Sequence, residues 1–192
     1  MSKENIERIK DVIDWYSFTM EWLQNFAGVL HEISRQGNIT GFSVEIPDDL
    51  MFLTPHEIDS SLNKKLDKLS MASSFQLFAS FEGTIRFDAK HRQKKARVGK
   101  DLKNMIRRLD KNLKDIDIKN IIDCWCERYS IEKRNLSTIK GLFQYRHWLA
   151  HGRYWDDIDL PVRKSAITPK YIYQLMRDCY DEFKRHEPDF EW

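Results

Sequence analysis

Hydrophobic side chains recur at alternating spacings of three and four residues along most of the chain. Between residues 4 and 35 two such stripes run side by side, one from Ile6 to Leu30 and the other from Val12 to Ile33. Three-four spacing is typical of an amphipathic helix, and so wide an apolar face suits a helix that packs against two neighbours. The pattern therefore predicts a long first helix over residues 4–35.

A second long stripe follows a clear helix-start signal. Thr54 is followed by Pro55, and Glu57 stands three residues after the threonine. This is the pattern of a capping box with proline at the first helical position. Hydrophobic positions then continue at helical spacing toward Lys90. We therefore predict a second long helix that begins at Thr54 and runs to about Lys90.

The remainder of the chain predicts shorter helices joined by loops. Residues 39–46 have strand-like composition without an evident partner strand, and we interpret them as an extended connector or a small hairpin. Thr168-Pro169 repeats the cap-and-proline start of the second helix. The other predicted elements are a basic loop over 91–99, helices over 100–113, 117–129 and 137–151 with Ser137 as N-cap, a loop over 156–167, and a last helix ending at about His186.

The composition agrees with a single all-α domain over residues 1–192. This length is typical of one domain, and the 7 glycines and 5 prolines are few enough to favour helices. We expect a bundle of five to seven helices, two of them long. No apolar run approaches a membrane span, the polar N-terminus does not resemble a signal peptide, and the three cysteines lack framework spacing. These features favour the cytoplasm and exclude a membrane partner.

Charge is distributed unevenly although the formal net charge is only +2. Residues 1–60 hold four basic and eleven acidic side chains, whereas residues 90–114 hold eleven basic and two acidic ones, a local net of +9. So basic a stretch predicts a polyanion such as RNA as partner, although a solvated helix face has the same composition. The predicted RNA-binding residues are Arg92, Lys94, Lys95, Arg97 and Lys100, together with Arg153 and Tyr154 farther along the chain.

The stretch YRHWLAHGRYW, from Tyr145 to Trp155, gathers titratable and cationic groups in an apolar context. An imidazole can accept and donate protons near neutral pH, and a guanidinium offers a fixed set of donors to phosphate oxygens. A general base beside a permanent cation can cleave RNA without a metal. The base removes the 2′-OH proton, that oxygen attacks the adjacent phosphorus, and the cation stabilises the developing negative charge.

Helix geometry limits which of these groups can meet. Five residues turn a side chain by about 140°, so Arg146 and His151 do not share one face, whereas His147 and His151 do. Arg146 and His151 could converge from a frayed last turn or across a symmetric dimer. Gly152 fits a helix stop directly after His151.

Arg146-His147-Trp148-Leu149-Ala150-His151-Gly152 resembles the R-x4–6-H signature of the HEPN superfamily. The resemblance implies an all-α bundle, a homodimer and a metal-independent endoribonuclease without a cofactor, in a toxin or phage-defence role. It implies that Arg146 and His151 are catalytic and that His147 supports them. Some HEPN toxins are controlled by an antitoxin that modifies a tyrosine two residues after the motif histidine, but Tyr154 lies three residues after His151.

Other residues allow further interpretations. A second match to the same spacing joins Arg86 to His91, where a helix runs into the basic segment; these residues are expected to be solvated, or they could contact RNA phosphates. Glu82, on the second long helix, could orient an imidazole or form a salt bridge. The aromatics of the quoted stretch could stack on RNA bases or pack in the core. His147 with His151, or Cys124 with Cys126, would supply only half of a zinc site.

Two functions without catalysis remain open at this point. The chain could be a nucleic-acid-binding or dimerisation module in which the basic stretch contacts phosphates. It could also be a helical scaffold whose basic stretch faces the acidic N-terminal helix of a neighbour. Either pairing would weaken as salt rises, because its contacts are electrostatic.

Overall fold

The computed structural model describes residues 8–36, 50, 52–94, 104–106, 117–129, 133–151, 160, 163 and 166–190. The predicted all-α fold is confirmed, and these residues contain no strand. None of the described helices is long and apolar enough to cross a membrane. The helices are α1 (Ile9–Gln36), α2 (Pro55–Lys94), α3 (Ile118–Tyr129), α4 (Lys133–Ala150) and α5 (Pro169–His186), and residues 104–106 are also helical.

Two helix starts follow the predicted capping chemistry. The Thr54 hydroxyl accepts a hydrogen bond from the Glu57 N–H at 3.3 Å, and the Glu57 carboxylate accepts one from the Thr54 N–H at 2.8 Å. The Thr168 hydroxyl accepts a hydrogen bond from the Tyr171 N–H at 3.2 Å. Each hydroxyl satisfies a backbone donor that has no partner within its own helix, which specifies where the helix begins.

Helix α1 begins at Ile9, after the non-helical Arg8, rather than at residue 4 as predicted. Two further predicted boundaries are wrong. Helix α2 continues to Lys94, four residues into the segment predicted to be a basic loop. Helix α4 begins at Lys133 rather than at Ser137, and Leu136 is already buried in the core. In both cases core contacts extend the helix beyond the local start or stop signal. The predicted connector over 39–46 lies outside the described residues.

Helices α1 and α2 form an antiparallel hairpin. His31 lies 2.9 Å from Asp59, so the end of α1 meets the beginning of α2. At that end a small apolar cluster contains Leu30, Ile33 and Ile58 and draws only on α1, α2 and the segment before α2. At the other end α1 and α2 join α3, α4 and α5 around a larger core. One end of the hairpin is therefore packed as a two-helix arm within the described part of the chain.

The larger core is built around aromatic rings. Trp125 lies 4.5 Å from Phe183 and 5.6 Å from Phe190, measured between ring centres, and all three are buried. Phe190 follows the end of α5, and a turn with a 2.8 Å hydrogen bond from its N–H to the Glu187 carbonyl directs it back into the core. Aromatic pairs in such tilted arrangements contribute about 0.5–1.5 kcal/mol beyond their buried area. The segment after α5 is thus part of the core.

Arg92 is a buried cation at the end of this core, with its side chain 1% exposed. Its Nε donates to both carboxylate oxygens of Asp88, at 2.8 and 3.0 Å. Its Nη1 lies 3.2 Å from Glu187, its Nη2 lies 3.4 Å from Asp189, and its guanidinium covers the Trp125 ring at 4.9 Å. The prediction that Arg92 binds RNA is therefore wrong, because three carboxylates and an indole surround the guanidinium.

Asp88 is the most buried carboxylate of this group, at 7% exposure. Burial raises its pKa to about 6, Arg92 opposes the rise, and the neighbouring carboxylates of Asp189 and Glu187 add to it. Tyr129 donates a hydrogen bond to Glu187, and its own pKa is raised by burial and by that bond. One arginine thus organises three carboxylates that join α2 to the segment after α5.

We expect Arg92→Ala to lower the free energy of unfolding by about 3 kcal/mol, because it leaves buried carboxylates without their cation. Urea denaturation followed by circular dichroism would measure the loss. Arg177→Ala is the matched control, since Arg177 pairs with Asp181 on the exposed side of α5, and it should change stability by less than about 0.5 kcal/mol. Equal stabilities for the two variants would contradict a structural role for Arg92.

The raised pKa of Asp88 also predicts that the stability of the fold depends on pH. Its pKa is about 6 in the folded chain against an ordinary value of 3.8, so the folded state binds this proton more tightly than the unfolded state does. The stabilisation of the folded state by the proton on Asp88 is complete below pH 3.8 and is lost as the pH rises through about 6. The control is Asp88→Asn, whose side chain cannot titrate. As the pH is lowered from about 7.5 to about 5, the free energy of unfolding of the wild type should rise by on the order of 1 kcal/mol relative to that of the variant. A stability difference independent of pH would contradict this prediction.

Candidate functional site

Two histidines lie on the solvent side of the end of α4. The N–H of His151 donates to the carbonyl of His147 at 3.1 Å, which completes the last turn of the helix. Both side chains are exposed. Their ring centres are 4.2 Å apart, with the planes inclined at 61°. The prediction that these residues share a face is confirmed, and the resulting arrangement is an edge-to-face pair of imidazoles.

Arg146 is directed toward α2. Its Nη2 lies 3.3 Å from a carboxylate oxygen of Glu82, and its guanidinium lies 5.7 Å from the centre of the Phe75 ring. The side chain remains 34% exposed, yet its Nε is buried and has no hydrogen-bond partner in the described part of the chain. Neighbouring residues of a helix are rotated by about 100°, so Arg146 faces a helix neighbour while His147 faces solvent.

Glu82 stands between two guanidinium groups. Arg86, one turn later on α2, donates its Nε to Glu82 at 2.8 Å, while Arg146 approaches the other carboxylate oxygen from α4. Glu82 and Arg86 are 18% and 25% exposed, so this group is partly screened from water. Of the two interpretations of Glu82, the salt bridge is therefore the one observed. Two arginines around one carboxylate leave a net charge of +1 beside α4.

Of the remaining aromatic and basic residues considered for RNA contacts, some are packed in the core and others lie outside the described ranges. Tyr145 and Trp148 are buried and stack on each other with ring centres 5.5 Å apart, so packing in the core is the correct interpretation for both. Lys94 is the last residue of α2. The residues Lys95, Arg97, Lys100, Gly152, Arg153 and Tyr154 lie outside the described ranges.

In the second match to the arginine–histidine spacing, from Arg86 to His91, the arginine takes part in a salt bridge within α2. Arg86 is engaged by Glu82, and exposed His91 stacks on Phe87 with ring centres 6.2 Å apart. Within the described residues no group of three or more His, Cys, Asp or Glu side chains could hold a metal ion. All three cysteines are buried, and burial raises the pKa of Cys124 to about 11. That thiol is protonated at neutral pH and is therefore a poor nucleophile.

One cavity lies away from the histidine pair. It has a volume of about 250 Å³ and lies between α3 and the first half of α4, where Asp123 and Lys140 form an ion pair at its wall. Lys140 precedes His151 by eleven residues, or about 16 Å along a helix. The cavity and the imidazole pair are therefore separate features. The lining residues are Asp123, Cys126, Glu127, Leu136, Ser137 and Lys140.

The sequence predicts only part of the salt-bridge group formed by Glu82, Arg86 and Arg146. Glu82 and Arg86 are four residues apart, a spacing that places them on one helix face. Glu82 and Arg146, by contrast, are 64 positions apart in the chain, and no local sequence pattern predicts a contact over that separation. The same is true of Arg92, whose i,i+4 partner Asp88 is visible in the sequence while Glu187 and Asp189 are not.

We expect Glu82→Gln to lower the free energy of unfolding by roughly 1–2 kcal/mol, because it removes the negative charge from between two partly buried guanidiniums. Chemical denaturation would measure the loss. The matched control is Glu32→Gln, since Glu32 pairs with Arg35 in an exposed i,i+3 contact, and we expect a change below about 0.5 kcal/mol.

A double-mutant cycle with Arg146→Met would isolate the contact between α2 and α4. We expect a coupling free energy of at least about 0.5 kcal/mol between Glu82 and Arg146. A coupling near zero would show that the 3.3 Å contact does not stabilise the fold.

The comparisons with known proteins add no relative. No family model, no curated protein and no solved structure matches this chain. The assignment of a function therefore depends on the chemistry of the described side chains and on the resemblance of the sequence at residues 146–152.

Proposed function

We propose that the chain is a metal-independent endoribonuclease in which His147 and His151 act as a general acid–base pair. The observation that carries the proposal is the exposed pair of imidazoles with ring centres 4.2 Å apart. Imidazole is the side chain used most often for proton transfer in catalysis, and both side chains are exposed. The resemblance of residues 146–152 to the HEPN signature supports the same chemistry.

The proposed reaction is an internal transesterification. One imidazole removes the proton of a ribose 2′-OH, and the 2′-oxygen forms a bond to the adjacent phosphorus. The bond from phosphorus to the 5′-oxygen breaks, and the second imidazole donates a proton to that leaving oxygen. The products are a 2′,3′-cyclic phosphate and a 5′-hydroxyl. DNA lacks the attacking hydroxyl and is not a substrate.

In this proposal the Arg146 guanidinium supplies positive charge to the substrate phosphate, and Glu82 holds that guanidinium in position. A third of the Arg146 side chain is exposed, so a phosphate could contact the guanidinium without displacing Glu82. Arginine donors suit phosphate oxygens, and a fixed cation stabilises the additional negative charge of the transition state. The two histidines take the proton transfers, and Arg146 has an electrostatic role.

One observation favours an alternative function, a non-catalytic nucleic-acid-binding or dimerisation module. Arg146 is held by Glu82 and lies over Phe75, so its contacts are those of a residue that joins two helices. On this alternative the histidines end α4, and the basic stretch over 90–114 contacts phosphates. A homodimer, an antitoxin-like regulatory protein and a defence role belong to the proposal through the resemblance alone.

We expect His151→Ala and His147→Ala each to reduce RNA cleavage at least about 100-fold, because each removes one proton-transfer group. The assay follows a fluorescent single-stranded RNA in the presence of EDTA, with an all-DNA strand of the same sequence as a substrate control. His56→Ala is the protein control, since His56 is exposed at the start of α2, and should leave the rate unchanged.

The outcomes separate the two functions. Cleavage that survives EDTA, yields cyclic phosphate ends and disappears in both variants supports the acid–base pair. Full activity in either histidine variant contradicts the assigned roles. RNA that is bound with a steep salt dependence but stays intact over hours favours the non-catalytic module.

A further inference from the structure

Phe75 is an aromatic residue of α2 that the fold leaves partly in water. Its side chain is 38% exposed, whereas Phe78 and Phe81 on the same helix are 0% exposed. Those two rings pack against Phe143 of α4, with ring centres 5.4 and 6.4 Å apart. The contact between α2 and α4 therefore buries two of these phenyl rings and leaves the third within reach of a ligand.

An arginine lies beside this exposed ring. The Arg146 guanidinium is 5.7 Å from the centre of the Phe75 ring, and the arginine side chain is 34% exposed. Glu82 contacts the guanidinium at 3.3 Å, through Nη2, so the cation and the ring are placed side by side before a ligand arrives. Groups that are held in position beforehand lose less conformational freedom on binding, which favours affinity.

The other exposed rings in the described part of the chain have different surroundings. Those of α1 lie in a segment, residues 10–22, that holds three exposed carboxylates against one lysine. Among the large exposed aromatic side chains that the structure describes, Phe75 is the one with a guanidinium beside it. Carboxylates repel a strand of phosphates and a guanidinium attracts it. Charge therefore favours Phe75 as the ring that meets a nucleic acid.

We propose that Phe75 is a base-stacking residue, on which one RNA nucleotide places its base while its phosphate contacts Arg146. Because it takes RNA as the ligand, this assignment rests on the proposed function. Proteins that bind single-stranded nucleic acid combine positive charge along the backbone with aromatic rings on which bases stack. The base and the phosphate of a nucleotide are joined through one ribose, so they reach two neighbouring groups at once.

Stacking on Phe75 also defines the class of RNA. A duplex keeps its bases stacked on each other, and only unpaired bases are free to stack on a protein ring. Every base has a π-face, so a phenyl ring adds affinity without selecting a sequence. The substrate that this surface accepts is therefore single-stranded RNA, with little preference for the base at Phe75.

Fluorescence anisotropy with two labelled strands of about 12 nucleotides tests the assignment. One strand is 2′-O-methyl RNA, which keeps its bases and cannot be cleaved through a 2′-OH. The other is a 2′-O-methyl abasic strand, which keeps the ribose-phosphate backbone and lacks the bases. We expect Phe75→Leu to weaken binding of the RNA at least about fivefold, because leucine is apolar but offers no ring. Binding of the abasic strand should not change.

Two further variants serve as controls. Phe75→Tyr retains the ring and should bind the RNA as the wild type does. Phe52→Leu removes a phenyl ring that is 84% exposed on the segment before α2, and it should bind both strands as the wild type does. Circular dichroism checks that each variant is folded.

An equal loss of both strands in Phe75→Leu would show that the ring acts only by placing Arg146, and it would overturn base stacking. The same conclusion follows if Phe75→Leu binds the RNA normally, if Phe75→Tyr binds it as weakly as Phe75→Leu, or if the wild type binds the RNA no more tightly than the abasic strand. The measurement needs no cleavage. Base stacking by a chain that leaves natural RNA intact would contradict the ribonuclease proposal alone, and cleavage without any effect of Phe75→Leu on binding would contradict the stacking alone.

Discussion

Arg92 holds a full positive charge at a position where water is almost excluded, and the core depends on the groups that surround it. A buried cation without partners would cost several kcal/mol, so the chain has to bring carboxylates to it. Asp88 comes from the same helix, whereas Glu187 and Asp189 come from the far end of the sequence. The arginine thereby couples α2 to the C-terminal segment and helps to hold Phe190 against Trp125.

The same logic separates the roles of adjacent residues on α4. Arg146 and His147 are neighbours in the chain, yet the helix directs one toward α2 and the other toward solvent. A partly buried guanidinium requires a carboxylate, and Glu82 provides it. The side chains of His147 and His151 are exposed. The packing of α4 against α2 therefore determines that Arg146 faces a neighbouring helix while His147 faces solvent.

Helix α1 shows how a hydrophobic pattern can predict a helix correctly without predicting which of its side chains are buried. Two apolar stripes predict a helix with two neighbours, and α1 does pack against α2 and α5, with residues of both stripes buried. The rings of Trp15, Phe18 and Trp22 on the other side stay exposed. Hydrophobic periodicity therefore predicts the helix but does not report which of its side chains the fold buries.

Periodicity and capping residues determined the helices, because both are local properties. The starts of α2 and α5 depend on Thr54 and Thr168, and the pairing of His147 with His151 depends on a spacing of four. The partners of Arg92 and Arg146, the extension of α2 to Lys94 and the early start of α4 were decided by tertiary structure. Those features depend on which distant carboxylate or apolar surface reaches each helix, and that choice is made only when the elements pack.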